Sequence, residues 1–221
     1  MLLWLDTINF EAIQMATDLG ILYGITTNPL ILSESKEPLK TLLGELLNHQ
    51  DGPLAVQVVA EDIAGMVKQG QDLYSFSDRI IVKVPVTKSG LEAIHLLNEK
   101  EIPTMATTVF YPHQAFMAAQ VGAKYIAPYL SHIDKSGRSA LETLDAMQRI
   151  LKSNDMQTDI LAASVNSLEM FQACAQRGIP HITVKDTLFY QLTDTASQTQ
   201  EWVDKFTKAF ANLDTPFLSC K

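Results

Sequence analysis

The feature that most constrains this chain is an alternation running from end to end, in which short β-rich apolar runs take turns with amphipathic helical stretches. The spacing predicts strands at Leu2–Leu5, Tyr23–Thr26, Leu54–Val59, Ile80–Val84, Thr104–Thr107, Tyr125–Ala127, Ile160–Ala163 and His181–Val184. Helices are expected over Phe10–Leu19, Pro38–His49, Asp62–Tyr74, Gly90–Lys100, Pro112–Val121, Ser139–Lys152, Ser167–Arg177 and Thr187–Thr193. Ala115, Ala118 and Ala119 recur at helical spacing beside Phe116 and Val121, as on a packed face. Gly20, Lys100 and Arg177-Gly178 mark helix ends. Eight strand–helix pairs in 221 residues match a closed (β/α)8 TIM barrel, an α/β fold that takes roughly 200 to 250 residues. An open doubly wound sheet would carry a glycine-rich loop after its first strand, and Asp6-Thr7-Ile8-Asn9 has no glycine. No repeat and no linker divides the chain, so residues 1–221 are expected to form one barrel domain, with an extra C-terminal helix and tail over 199–221. Within that helix, Gln200–Ala211 places Trp202, Val203, Phe206, Ala209 and Phe210 so as to cover a barrel end or pack on a neighbouring subunit.

Composition narrows the function classes. A chain of this length buries about 70% of its unfolded surface and needs no disulfide or metal to fold. With 17 basic against 25 acidic side chains, its net charge is −8, which argues against nucleic-acid or anionic-membrane partners. Cys174 and Cys220 lie far apart in sequence, as expected in a reducing compartment. The start has no basic n-region and meets Asp6 early, and no apolar run reaches the roughly 18 residues of a membrane helix. A cytoplasmic setting is the expectation.

Chemistry in such a barrel sits at the C-terminal ends of the strands. The strands deliver there Asp6, Thr26-Thr27-Asn28, Gln57, Lys83, Thr107-Thr108, Tyr129, Ser164 and Lys185-Asp186. Lys83 says most. It stands in Ile80-Ile81-Val82-Lys83-Val84, where neither face of a barrel strand leaves an ammonium in water. Desolvation lowers a lysine pKa and raises the fraction of neutral amine able to attack a carbonyl, although pairing with Asp6 explains the residue equally well. Asp6 suits helix capping as well as proton transfer, and Thr26-Thr27-Asn28-Pro29 also reads as a turn into a helix. Gln57 and Tyr129 each fit a structural hydrogen bond as readily as a catalytic one. The histidines have no metal-ligand spacing, and no nucleophile elbow or P-loop occurs, so no metal is expected.

Leu5-Asp6-Thr7, Gly24-Ile25-Thr26-Thr27-Asn28-Pro29, Ile81-Val82-Lys83-Val84-Pro85-Val86-Thr87, Gly122-Ala123-Lys124-Tyr125-Ile126-Ala127-Pro128-Tyr129 and Ala162-Ala163-Ser164 together resemble the small transaldolase family across essentially the whole chain. The resemblance implies a Schiff-base enzyme with Lys83 as its lysine and no cofactor, since the lysine provides the electron sink. Gln57 and Tyr129 stand where transaldolases usually carry Glu and Phe, and this pair resembles the fructose-6-phosphate aldolase branch. The resemblance therefore implies a lyase that cleaves fructose 6-phosphate or a related ketose to release dihydroxyacetone. The alternatives are a transaldolase and a non-catalytic barrel that binds sugar phosphates. It further implies that Asp6 moves the C4 hydroxyl proton, and that Gln57, Thr107 and Tyr129 hold a proton-shuttling water. Asn28, Thr26 and Ser164 would bind substrate, and the chain would form pentameric or decameric homo-oligomers. At two positions where the family places Arg or Lys near the substrate phosphate, this chain has His132 and Asn166. Either Arg138, Lys135, Lys88 or Lys185 takes over the phosphate, or the acceptor is an unphosphorylated or differently charged aldehyde.

Overall fold

The computed structural model describes residues 1–211. Eight parallel strands close into a barrel in chain order: β1 (Leu2–Asp6), β2 (Leu22–Thr26), β3 (Leu54–Gln57), β4 (Ile80–Pro85), β5 (Thr104–Val109), β6 (Tyr125–Pro128), β7 (Asp159–Val165) and β8 (His181–Val184). The helices are α1 (Phe10–Asp18), α2 (Pro29–Leu32), α3 (Leu39–Asn48), α4 (Ile63–Phe76), α5 (Lys88–Asn98), α6 (Pro112–Gln120), α7 (Leu130–Lys135), α8 (Ala140–Ser153), α9 (Leu168–Gln176), α10 (Asp186–Thr193) and α11 (Ser197–Phe210). β1 pairs with both β2 and β8, which closes the ring.

Strand alternation sorts the apolar residues into two cores. Trp4, Ala55, Ile81, Met105, Tyr125, Ala127, Leu161 and Ala163 pack together inside the ring. Leu5, Ile25, Val56, Ile80, Val82 and Val84 face outward into the larger core beneath the helices. Lys83 therefore has the inward parity of Ile81. The helix behind its strand is held close: Thr87 caps α5 by accepting from Gly90 N–H, and a Cβ on Gly90 would lie 1.9 Å from the Pro85 carbonyl oxygen.

Three departures from the expected elements bear on the site. β3 stops at Gln57, leaving Val58 and Val59 outside it. β5 and β7 run past their expected ends through register shifts between Ala106 and Val109 and between Ala162 and Val165. Within these bulges Thr108 and Ser164 take positive φ of 58° and 56°, left-handed conformations that re-aim side chains near the barrel rim. The short α7 follows Tyr129 immediately. α11 has no buried residue and so does not cover an end of this barrel. The part of the expected tail beyond Ala211, including Cys220, lies outside the described residues. Among the described residues, no helix is long and apolar enough to cross a membrane.

Candidate active site

A cavity of about 650 Å³ opens at the C-terminal ends of the strands, well within the range of small-molecule sites. Asp6, Thr26, Asn28, Gln57, Lys83, Tyr129, His132 and Ser164 all line it. Lys83 is only 4% exposed, and its Nζ donates to the Thr27 carbonyl oxygen at 2.6 Å. Among the described residues, no carboxylate forms an ion pair with it. Burial pulls its pKa below the usual lysine value, and the field of Asp6 opposes this only in part. An amine held this way keeps its lone pair for a carbonyl.

Thr26 Oγ1 lies 2.7 Å from both Asp6 Oδ1, to which it donates, and Thr183 Oγ1. Thr26 has one proton, so while it donates to the carboxylate, the Thr183 hydroxyl is left to donate to Thr26. This relay orients Asp6 toward the cavity it lines. Asn28 caps α2, its side-chain oxygen accepting from Leu30 and Ile31 N–H at 3.0 and 3.1 Å, which leaves its amide N–H groups for a ligand. The capping and turn readings of Thr26-Thr27-Asn28-Pro29 thus hold alongside its place at the cavity.

Gln57 sits beside Lys83 in register, and its amide makes no hydrogen bond among the described residues. Tyr129 Oη lies 3.1 Å from Thr107 Oγ1. Burial raises the phenol's pKa, the Thr107 bond lowers it and the Asp6 field raises it further, so the group stays protonated at neutral pH. Thr107 itself is fully buried and does not line the cavity, so it orients Tyr129 from behind.

At another part of the wall Ser164 Oγ lies 2.6 Å from Ser131 Oγ and 3.0 Å from His132 Nδ1. Lys135 and Lys185 line the cavity as well. Arg138, expected at the substrate, does not line this cavity, and neither does Lys88. The guanidinium sits 4.0 Å over the Tyr111 ring and donates to the Phe110 carbonyl at 2.8 Å and to Ser136 Oγ at 3.2 Å. Planar stacking and two hydrogen bonds hold it away from the cavity wall. Thr183 and Ser131 were not anticipated: a threonine inside a strand reads as a β-former, and Ser131 lies in a helix too short to show periodicity. Among the described residues, no group of three or more His, Cys, Asp or Glu is placed to hold a metal ion.

Fold and site together define a class: parallel eight-stranded barrels with a desolvated lysine in a polar cavity at the strand ends. The chain belongs to the Transaldolase/Fructose-6-phosphate aldolase family, which it matches over residues 3–217. A Syntrophomonas wolfei protein named "Probable transaldolase" is 33% identical over 215 residues, covering 95% of this chain and 100% of the relative. A Hydrogenobaculum relative of the same name is 34% identical over 220 residues, covering 97% of this chain and 99% of its own. Two solved structures share the barrel. A Coccidioides immitis protein named as a fructose-1,6-biphosphate aldolase has a TM-score of 0.57 at 15% identity, over 96% of this chain and 80% of that one. A mandelate oxidase mutant has a TM-score of 0.56 at 12% identity, over 92% and 69%. Their different chemistries make these a likeness of fold alone. The protein is thus of an enzymatic, carbohydrate-processing family, and the names of its relatives favour the transfer alternative over the lyase reading.

Proposed function

We propose that the protein is a transaldolase-type Schiff-base enzyme that carries a dihydroxyacetone unit on Lys83. The dry, unpaired Lys83 amine is the observation that carries this reading. Its nitrogen adds to the ketone of a ketose, and the carbinolamine loses water to give an iminium. Asp6 then accepts the C4 hydroxyl proton, the C3–C4 bond breaks, and its electron pair flows to the iminium as an aldehyde departs. The enamine left on Lys83 attacks an acceptor aldehyde through carbon while the new alkoxide takes the proton back from Asp6. Water finally releases the product ketose and restores the amine. The lysine serves as the electron sink throughout.

A second reading, a lyase that releases free dihydroxyacetone, is favoured by one feature. The Tyr129–Thr107 hydroxyl pair and the unpartnered Gln57 amide suit a water that protonates the enamine carbon. Incubating a ketose with and without an acceptor aldehyde separates the two readings. Transfer predicts a new ketose and little free dihydroxyacetone, whereas the lyase releases it with no acceptor present. If a panel of plain and phosphorylated ketoses is left untouched, the barrel is a binding protein and both enzymatic readings fail.

The resemblance also carries a homo-oligomer of pentameric rings or their pairs. The exposed Trp202, Val203, Phe206 and Phe210 of α11 form the surface suited to a neighbour, and light scattering tests it.

A further inference from the structure

We infer that the corner of the cavity built by Ser131, His132 and Ser164 recognises hydroxyl groups, and that the acceptor is an uncharged polyhydroxy aldehyde, not a phosphorylated one. The inference rests on the Lys83 reading above and adds the class of acceptor.

Ser164 joins the three side chains of this corner. Its left-handed backbone at the β7 bulge turns Oγ toward Ser131 and His132, a conformation a non-glycine residue keeps only where the surroundings hold it. A serine hydroxyl offers one donor and two acceptor positions, so two neighbours leave one position open. A ligand hydroxyl can fill it with either polarity. A phosphate dianion needs donors and compensating charge.

That charge is scarce. Lys83 is buried beside Thr27, Arg138 is stacked on Tyr111, and Asp6 adds a carboxylate to the same cavity. At the neighbouring helix N-termini, one N–H donor of each helix is already engaged. Ser167 caps α9 by accepting from Met170 N–H, and Asp186 in the first turn of α10 accepts from Thr187 N–H. Lys135 and Lys185 remain, both exposed, and an exposed ion pair gains about fivefold in affinity at most. A charged fork bound to phosphate in a partly enclosed site is worth about tenfold to a hundredfold.

The test compares kcat/KM for transfer of the dihydroxyacetone unit from one fixed ketose donor to D-erythrose and to D-erythrose 4-phosphate. Both aldehydes are compared at one fixed pH. The wild type should use the plain aldehyde at least as well as the phosphorylated one. His132→Arg should raise the phosphorylated-to-plain ratio about tenfold or more. Ser164→Ala should lower kcat/KM for the plain aldehyde about threefold to tenfold, mainly through KM, with an unchanged melting curve. Lys135→Ala and Lys185→Ala should each move the ratio by less than about fivefold. A wild-type preference for the phosphorylated aldehyde beyond about tenfold overturns the inference. So does a ratio that His132→Arg leaves unmoved. Borohydride trapping of dihydroxyacetone separates the two levels. A Lys83 adduct together with phosphate preference sinks this inference alone, and no adduct sinks the functional reading beneath it too.

Discussion

The two ends of the barrel interior share one backbone scaffold and carry opposite chemistry. At the N-terminal end Trp4, Tyr23, Tyr125 and His181 form an aromatic plug, with Trp4 5.2 Å from Tyr23 and 5.6 Å from Tyr125 between ring centroids. Trp4 Nε1 donates to His181 Nδ1 at 3.1 Å, which fixes the remaining ring proton on Nε2, 3.4 Å from Asp159. At the C-terminal end Lys83, Gln57, Asn28 and Ser164 keep hydrogen-bonding capacity in reserve. The plug closes the lower end, and the upper end stays open.

If the ends divide the labour in this way, breaking them should have separable effects. The largest is expected at the top. Lys83→Ala should cut turnover by about 10⁴-fold, because the covalent route is lost, while the melting temperature holds or rises once the buried amine is gone. Steady-state kinetics beside calorimetry checks this pairing. Next comes the bottom. Trp4→Ala should cost about 3–5 kcal/mol in denaturant unfolding, by emptying the plug. A Trp4 variant of normal stability with lost turnover would reverse the proposed division. Smaller again, Tyr129→Phe should slow dihydroxyacetone release about 10²-fold and leave transfer to an acceptor less affected, which coupled assays of both products measure.

The smallest expected effect is a pH dependence at the bottom. Burial lowers the His181 pKa despite Asp159, so the unfolded chain binds the proton more readily. Stability from His181 is therefore full above the ordinary histidine pKa and is lost as pH falls through and below it. Across that window His181→Gln should flatten the acid fall in melting temperature by about 2 °C. An unchanged acid slope would mean that other groups set it.

The contrast between the ends also explains what could be read from the sequence. All eight strands were legible because each is an apolar run bounded by helical periodicity, and Lys83 stood out as the lone charge beyond Arg79 in such a run. The bulges at Thr108 and Ser164 were not legible, since positive φ at a non-glycine residue leaves no mark in the pattern. For that reason β5 and β7 extend beyond their expected ends. α7 has six residues, too few to show a period. The seat of Arg138 over Tyr111 was not legible, because a loop arginine carries no signal of the ring it stacks on. Thr183, one of several threonines in strands, became informative only once its hydroxyl met Thr26.

The most direct test is borohydride trapping with dihydroxyacetone, followed by peptide mapping across a pH series. A single lysine, Lys83, should be modified, with labelling that rises with pH and levels off below the ordinary lysine pKa of about 10.4. Label spread over Lys135 or Lys185, or a Lys83 adduct that climbs only as an exposed lysine would, contradicts the account.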